Sequence, residues 1–333
     1  MRKPMLALLA SATAFTMAPQ TAMAWGGLAH EMIDRAAIEA VPEDGPVFLH
    51  RYEDFIASSA SLPDAWRGDW EVFSKTEEDP NHGWFREQFE FLKPVPRSRY
   101  EFILALHKHY EAIKVSDPAT AARTNVRWTG TLPYAVMENY ERLIVSMRRV
   151  REAVAKGKDP AFAEQACAFH IIRLGHYIGD GAQPLHDSVN SDGWRGDNPH
   201  HYTTDRSVHG RFEGRLVDHM DLTVKDISTH MAPVSRQSGD MFDAVLAFLD
   251  KAGSKMETVY QLEQRDGFSN YQDQDVRGLV YAQTAQGASM FRDMIVRAWA
   301  ESAKAAPVVA QSPISFENPA FNPETGSAPA PID

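Results

Sequence analysis

Cysteine is nearly absent from this chain: Cys167 is the single one in 333 residues. No intrachain disulfide can form, so stability must come from the core or from another staple, of which bound metal is one. Cys167 sits in "FAEQACAFHIIRL", among the apolar residues of a predicted helix, and reads as a buried structural thiol. No motif supports a Ser or Cys nucleophile. No series of alternating apolar and polar residues marks strands. Positive charge is also scarce, with 34 Lys and Arg against 45 Asp and Glu, a formal net charge of −11. That balance argues against gripping long nucleic acid by charge alone. It leaves open an enzyme that cuts nucleic acid, because metal ions supply local positive charge.

The one long apolar stretch is at the start. Arg2 and Lys3 precede "MLALLASATAFTM", and Ala22-Met23-Ala24 forms an A-x-A cleavage site. This reads as a secretory signal over residues 1–24, the apolar run being short for a membrane anchor. Its removal takes away two positive charges and no acids, moving the net charge from −11 to −13. The mature chain is expected to be soluble, monomeric, without an integral membrane segment, and secreted or periplasmic.

Nearly every patterned segment has apolar residues at three-to-four spacing, the period of a helix. Examples are "LAHEMIDRAAIEAV", "YEFILALHKHYEAIK", "LPYAVMENYERLIVSMRRVREAVAK", "AFAEQACAFHIIRLGHYIG", "GDMFDAVLAFLDKA" and "VRGLVYAQTAQGASMFRDMIVRAWAESAK". Residues 188–206 are polar and rich in Gly, Asp and Asn, which predicts a long loop. Residues 305–333 are rich in Pro and Ala without periodicity, which predicts a disordered tail. The expectation is an all-α protein: one multi-helix domain over 25–304, with a metal site in a cleft between helices.

The metal expectation starts from "HYIGDGAQPLH", His176 to His186. His176 and Asp180 are four apart and share one face of a helix. Pro184 ends or kinks that helix and can deliver His186 from a bend beside the same face. Alone, the stretch is equally a surface ion pair with an unrelated loop histidine. Further along, "VHGRFEGRLVDHM" repeats the spacing with His209 and Glu213, and His201 with Asp205 competes for the same role. Two such pairs with a histidine between them favour metal binding. Asp64 and Asp69 in "SASLPDAWRGDW" and His82 in "EDPNHGWF" are, on local grounds, ordinary loop residues. Trp25 would become the mature N-terminus, where an α-amino group beside a carbonyl can chelate a metal, with His30 one turn further on. Locally it reads better as an exposed aromatic. Trp84, Tyr134 and Trp194 are candidates for a substrate pocket, though core positions suit most of them.

Together, "WGGLAH", "HYIGDGAQPLH", "HGRFE" and "TLPYAVMENYERL" resemble the trinuclear-zinc phosphodiesterases, which comprise bacterial zinc-dependent phospholipase C and the single-strand-specific zinc nucleases. The likeness runs to about "FRDMIVRAWAES". It implies three Zn2+ per chain. The first would take Asp64, His82, His176 and Asp180. The second would take His186, His209 and Glu213. The third would take the amino nitrogen and carbonyl oxygen of Trp25 with His30 and Asp180. It also implies that Asp64 accepts a proton from the attacking water. "ASLPDAWR" favours Asp64 over Asp69, although the interval to His82 is longer than the resemblance implies. The step from Trp25 to His30 resembles the nucleases, whose Asn-x-x-His-x-x-Trp-Asp pattern is missing here; the glutamate of "HGRFE" resembles the phospholipases. The sequence therefore puts a phospholipase C first, releasing diacylglycerol from a phospholipid. A nuclease acting on single-stranded nucleic acid is the alternative, and a non-catalytic, zinc-stabilised secreted protein is a third reading.

Overall fold

The structure is a computed structural model and describes residues 25–68, 71–236 and 238–305. The signal segment, Asp69 and the tail from 306 onward lie outside the described residues. The described chain is all-α. The helices are α1 Gly26–Glu39, α2 Glu53–Ser58, α3 Leu62–Gly68, α4 Val72–Glu78, α5 Arg99–Ile113, α6 Leu132–Ala155 and α7 Ala161–Ala182. After these come α8 Val224–His230, α9 Met241–Gly253, α10 Met256–Gln264 and α11 Gln274–Ser302. Short single turns join them, and among the described residues the only strand-like pairing is an isolated bridge between Trp84 and Gly130. All six segments with clear apolar periodicity are helices, with ends within a few residues of the pattern. The segment 188–206 is a loop, as its composition predicts.

The centre of the molecule is α7. It packs along α6, and α11 and α1 cross it, around one continuous apolar core. Glycine makes the α1 crossing close. Gly175 and Gly179 lie one turn apart on α7. A Cβ on Gly175 would come within 2.3 Å of Asp34 Oδ1 and 2.7 Å of the Phe291 ring, and one on Gly179 within 2.6 Å of His30 Nδ1. Each glycine costs up to about 1 kcal/mol of helix propensity relative to alanine. In return α1 lays His30 and Asp34, themselves one turn apart, directly against α7.

Trp84 and Tyr134 are core residues, in an aromatic cluster with Phe89 and Phe102. Trp194 packs on Tyr202 and Tyr260. Cys167 is fully buried, and burial pushes its thiol up to about 12, as expected for an inert structural cysteine. Among the described residues no helix is long and apolar enough to cross a membrane.

Candidate metal centre

The helix α7 delivers two of the expected ligands together. His176 Nε2 is 3.5 Å from Asp180 Oδ2, and both side chains are fully buried. The helix stops at Ala182, Gln183 turns extended, and a tight turn Pro184–Asp187 follows. Gln183 caps that turn by accepting a hydrogen bond from Leu185 N at 2.6 Å. The proline bend thus aims His186 back toward the site, as the sequence predicts.

Three groups of potential ligands result, each with its donor atoms within 4.8 Å of one another: His30, His176 and Asp180; Asp64, His82 and His176; and His186, His209 and Glu213. His176 belongs to two of them. All of these side chains are buried, none more than 6% exposed. Asp64 is not a loop residue: it sits in the first turn of α3, and the Arg67 guanidinium is 2.9 Å from its Oδ1. His82 ends a tight turn, Asp79–His82, and its Nδ1 reaches Asp180 Oδ2 at 2.9 Å, Asp64 Oδ1 at 3.7 Å and His176 Nε2 at 3.2 Å. Asp180 therefore faces His30, His82 and His176 at once, the position a bridging carboxylate needs.

The second His-x-x-x-acid pair is not on a regular helix. His209 lies in a short turn, Val208–Gly210, and Glu213 in a π-turn, Arg211–Leu216. They still converge, with His209 Nε2 2.7 Å and His186 Nε2 3.5 Å from Glu213 Oε2. The competing pair does not: His201 is exposed with φ 56°, and Asp205 instead accepts from Ser207 N and Oγ at 2.9 and 2.6 Å.

Trp25 is not an exposed aromatic. Its side chain is fully buried against Phe212, and its nitrogen donates to Glu213 Oε2 at 3.2 Å. Trp25 is thereby carried into the site, at the acid expected for the second metal. No hydrogen bond joins that nitrogen to His30 or Asp180.

Whether these residues fit cations is tested by their unpaired atoms. Both nitrogens of His30, Asp180 Oδ1, Asp64 Oδ2, His186 Nε2, His209 Nε2 and Glu213 Oε1 are buried without a hydrogen-bond partner. Each such atom costs about 1–3 kcal/mol when nothing compensates it. Buried polar atoms concentrated this way call for an explanation. His209 Nε2 and Glu213 Oε2 are within contact distance yet out of hydrogen-bond alignment, as expected of lone pairs aimed at a common third point. The outer faces of the rings support the same reading. His176 Nδ1 donates to Ala60 O at 2.9 Å, His186 Nδ1 to His82 O, and His209 Nδ1 meets Ser191 Oγ at 2.9 Å. Such partners fix the tautomer and leave Nε2 free to ligate. The donor set of imidazoles and carboxylates suits a borderline divalent cation such as zinc.

The sequence reading missed several supporting residues. Glu78 lies one turn before His82, with Oε1 3.5 Å from its Nε2, and accepts from Tyr177 Oη. Burial works against its charge, but His82 and Tyr177 hold it below the usual carboxylate range. Gln183 Nε2 donates to Glu213 Oε2 at 3.0 Å. Asp34 is fully buried with neither oxygen partnered, and burial raises it well above the ordinary range. For Glu78 the spacing Glu-x-x-x-His was a visible signal; for the others no local pattern existed.

The site has a marked electrostatic polarity. Burial would lower the His209 imidazole, but Glu213 and Asp192 overcome it and raise it to about 10. Burial likewise opposes the Glu213 charge, yet His209 and His186 hold it at about 2. His82, His186 and His209 open onto a cleft of about 360 Å³ whose lining includes Arg67, Arg123, Arg127, Trp128, Arg195 and Arg206. No family model, curated protein or solved structure matches this chain.

Proposed function

We propose that this protein is a metal-dependent phosphodiester hydrolase, exported after loss of residues 1–24, with zinc as its metal. The observation that carries the reading is the contiguous set of three buried ligand groups beneath a cationic cleft. Bound zinc ions would lower the pKa of water toward neutrality and neutralise charge on the phosphate. His30, His82, His176 and Asp180, with Asp64, would hold two ions, and His186, His209 and Glu213 the third. Three protein ligands on the cleft side suit an open, catalytic position rather than a closed structural one. The chain's own groups supply the rest. Asp64 is placed to take a proton from the attacking water, and Arg67, paired with it at 2.9 Å, lines the cleft. Glu78 and Ala60 O orient His82 and His176.

For the substrate, the His-x-x-x-Glu pair supports a phospholipase C first. A second reading, a nuclease for single strands, gains from the cleft: the acidity of the whole chain does not extend to the surface that would meet substrate. The test is elemental analysis of the exported protein together with hydrolysis of bis(p-nitrophenyl) phosphate. About three zinc ions per chain and turnover abolished by chelator are expected. A protein that retains no zinc when purified without chelator, or hydrolyses no diester when loaded, would overturn the reading.

A further inference from the structure

Most arginines on this acidic surface clasp a carboxylate: Arg35 holds Asp54, Arg97 holds Asp243, Arg236 holds Asp44 and Arg265 holds Asp273. Arg123, Arg127, Arg195 and Arg206 differ. Among the described residues none of the four forms an ion pair, and all four line the cleft above His186 and His209. They come from two separate segments, the turn at 123–128 and the loop 188–206. The lining also holds Asp79 and Asp192, but five arginines and Lys75 outnumber them, and such a surplus of one sign around one cleft is unfavourable unless an anion is meant to enter it. A single reacting phosphodiester carries one negative charge, which bound metal ions would already address.

The 123–128 turn has a second feature. The Arg123 guanidinium lies 4.9 Å from the Trp128 ring centroid, and Trp128 is a half-buried wall of the cleft, with Phe85 nearby in the same lining. Guanidinium groups interleaved with aromatic faces suit a strand of nucleotides, where phosphates alternate with flat bases. The cationic choline headgroup of phosphatidylcholine is poorly matched to such a lining.

We infer that the cleft contains a second phosphate subsite, formed by Arg123 and Arg127 beside Trp128, which holds the phosphate neighbouring the one hydrolysed in a single-stranded oligonucleotide. This rests on the reading of the site as a phosphodiesterase, but its binding test does not need turnover. Two-fold substitution Arg123→Gln with Arg127→Gln is compared with Arg149→Gln, which removes an exposed arginine far along α6 where it pairs with Glu152. Binding of octathymidylate is read by quenching of tryptophan fluorescence across a salt series. The double variant is expected to bind at least about tenfold more weakly, with a salt slope smaller by about 1.4, two contacts' worth for a single strand. Arg149→Gln should match the parent. With the zinc-loaded protein, the loss should fall on KM for the oligonucleotide rather than on kcat. Unchanged affinity and slope in the double variant would overturn the subsite, even if bis(p-nitrophenyl) phosphate is hydrolysed. A loss seen only with vesicles containing an anionic phosphoinositide would also overturn it and give the arginines to a lipid headgroup. Lost binding in a protein that hydrolyses nothing would keep the subsite and remove the proposed activity.

Discussion

The two halves of the candidate metal centre are built by different means. In the deep half, His176 and Asp180 stand on consecutive turns of a regular helix, and glycines at 175 and 179 bring α1 against it so that His30 joins them. In the cleft half, His209 and Glu213 have the same sequence spacing but sit across a π-turn, and a Cβ added at Gly210 or Gly214 beside them would meet nothing within 4 Å. One half is held by helix packing, with His30, His176 and Asp180 fully buried. The other is held by hydrogen bonds from Gln183, Ser191 and Trp25 and faces the cleft. Insertion of π-turns is common at functional sites, because it re-aims side chains at a cost in backbone regularity. The pair His201 and Asp205 shows that spacing alone is insufficient: in a loop with His201 at positive φ, the two never meet a third ligand.

This contrast can be broken at its strongest point by removing the cleft-half histidine. His209→Ala should lower diester hydrolysis more than about a hundredfold, beyond the loss typical of an outer-sphere partner, and remove about one metal per chain. His201→Ala should stay near the parent in both. Steady-state kinetics with elemental analysis decides, and equal effects would mean that the loop, not the π-turn, carries the site.

The next largest effect separates packing from ligation. Gly179→Ala puts a methyl group against the His30 ring, and overpacking of this kind costs about 1–3 kcal/mol even after the helix gains alanine. A clear drop in Tm and weaker metal retention are expected. Gly214→Ala, with open space around it, should be neutral. If both glycines tolerate alanine equally, α1 is not held as described.

A smaller effect sharpens the difference through pH. Without metal, His209 is raised from an ordinary 6.5 to about 10, so its contribution to stability is present below 6.5 and is lost as pH rises toward 10. Glu213 is held at about 2, so its contribution is present above its ordinary value of 4.5 and is lost only as pH falls toward 2. A metal-bound imidazole is already neutral, which removes the alkaline loss. The Tm gap between zinc-loaded and chelated protein should widen from pH 6.5 to 9.5. Calorimetry showing a constant or narrowing gap would contradict the assignment of His209 as a ligand.

Much was legible in the chain before any coordinates. The six periodic segments are helices because a sustained apolar stripe at three-to-four spacing can be buried only on a helix face. The pair His176 and Asp180, four apart, and Pro184, two residues before His186, are local features, and local features survive folding. The short helix carrying Asp64 and the turn carrying His82 were read as loops because four to seven residues hold too little periodicity to be seen. Gln183 was missed for a different reason: its partner Glu213 is brought near only by folding.

The sequence by itself determined the helical class, the near-absence of cysteine chemistry and the ligand types at 176, 180 and 186, because these depend on residue identity and on neighbours within two turns. Spacing left open which of two equally spaced pairs, 201 with 205 or 209 with 213, joins His186, and tertiary structure brings the second pair to it, as the resemblance implies. It also gathered Arg123, Arg127, Arg195 and Arg206 of a chain with net charge −11 around one cleft. Both depend on where distant segments meet, since electrostatic and ligand geometry act through space over a few ångströms and not along the chain.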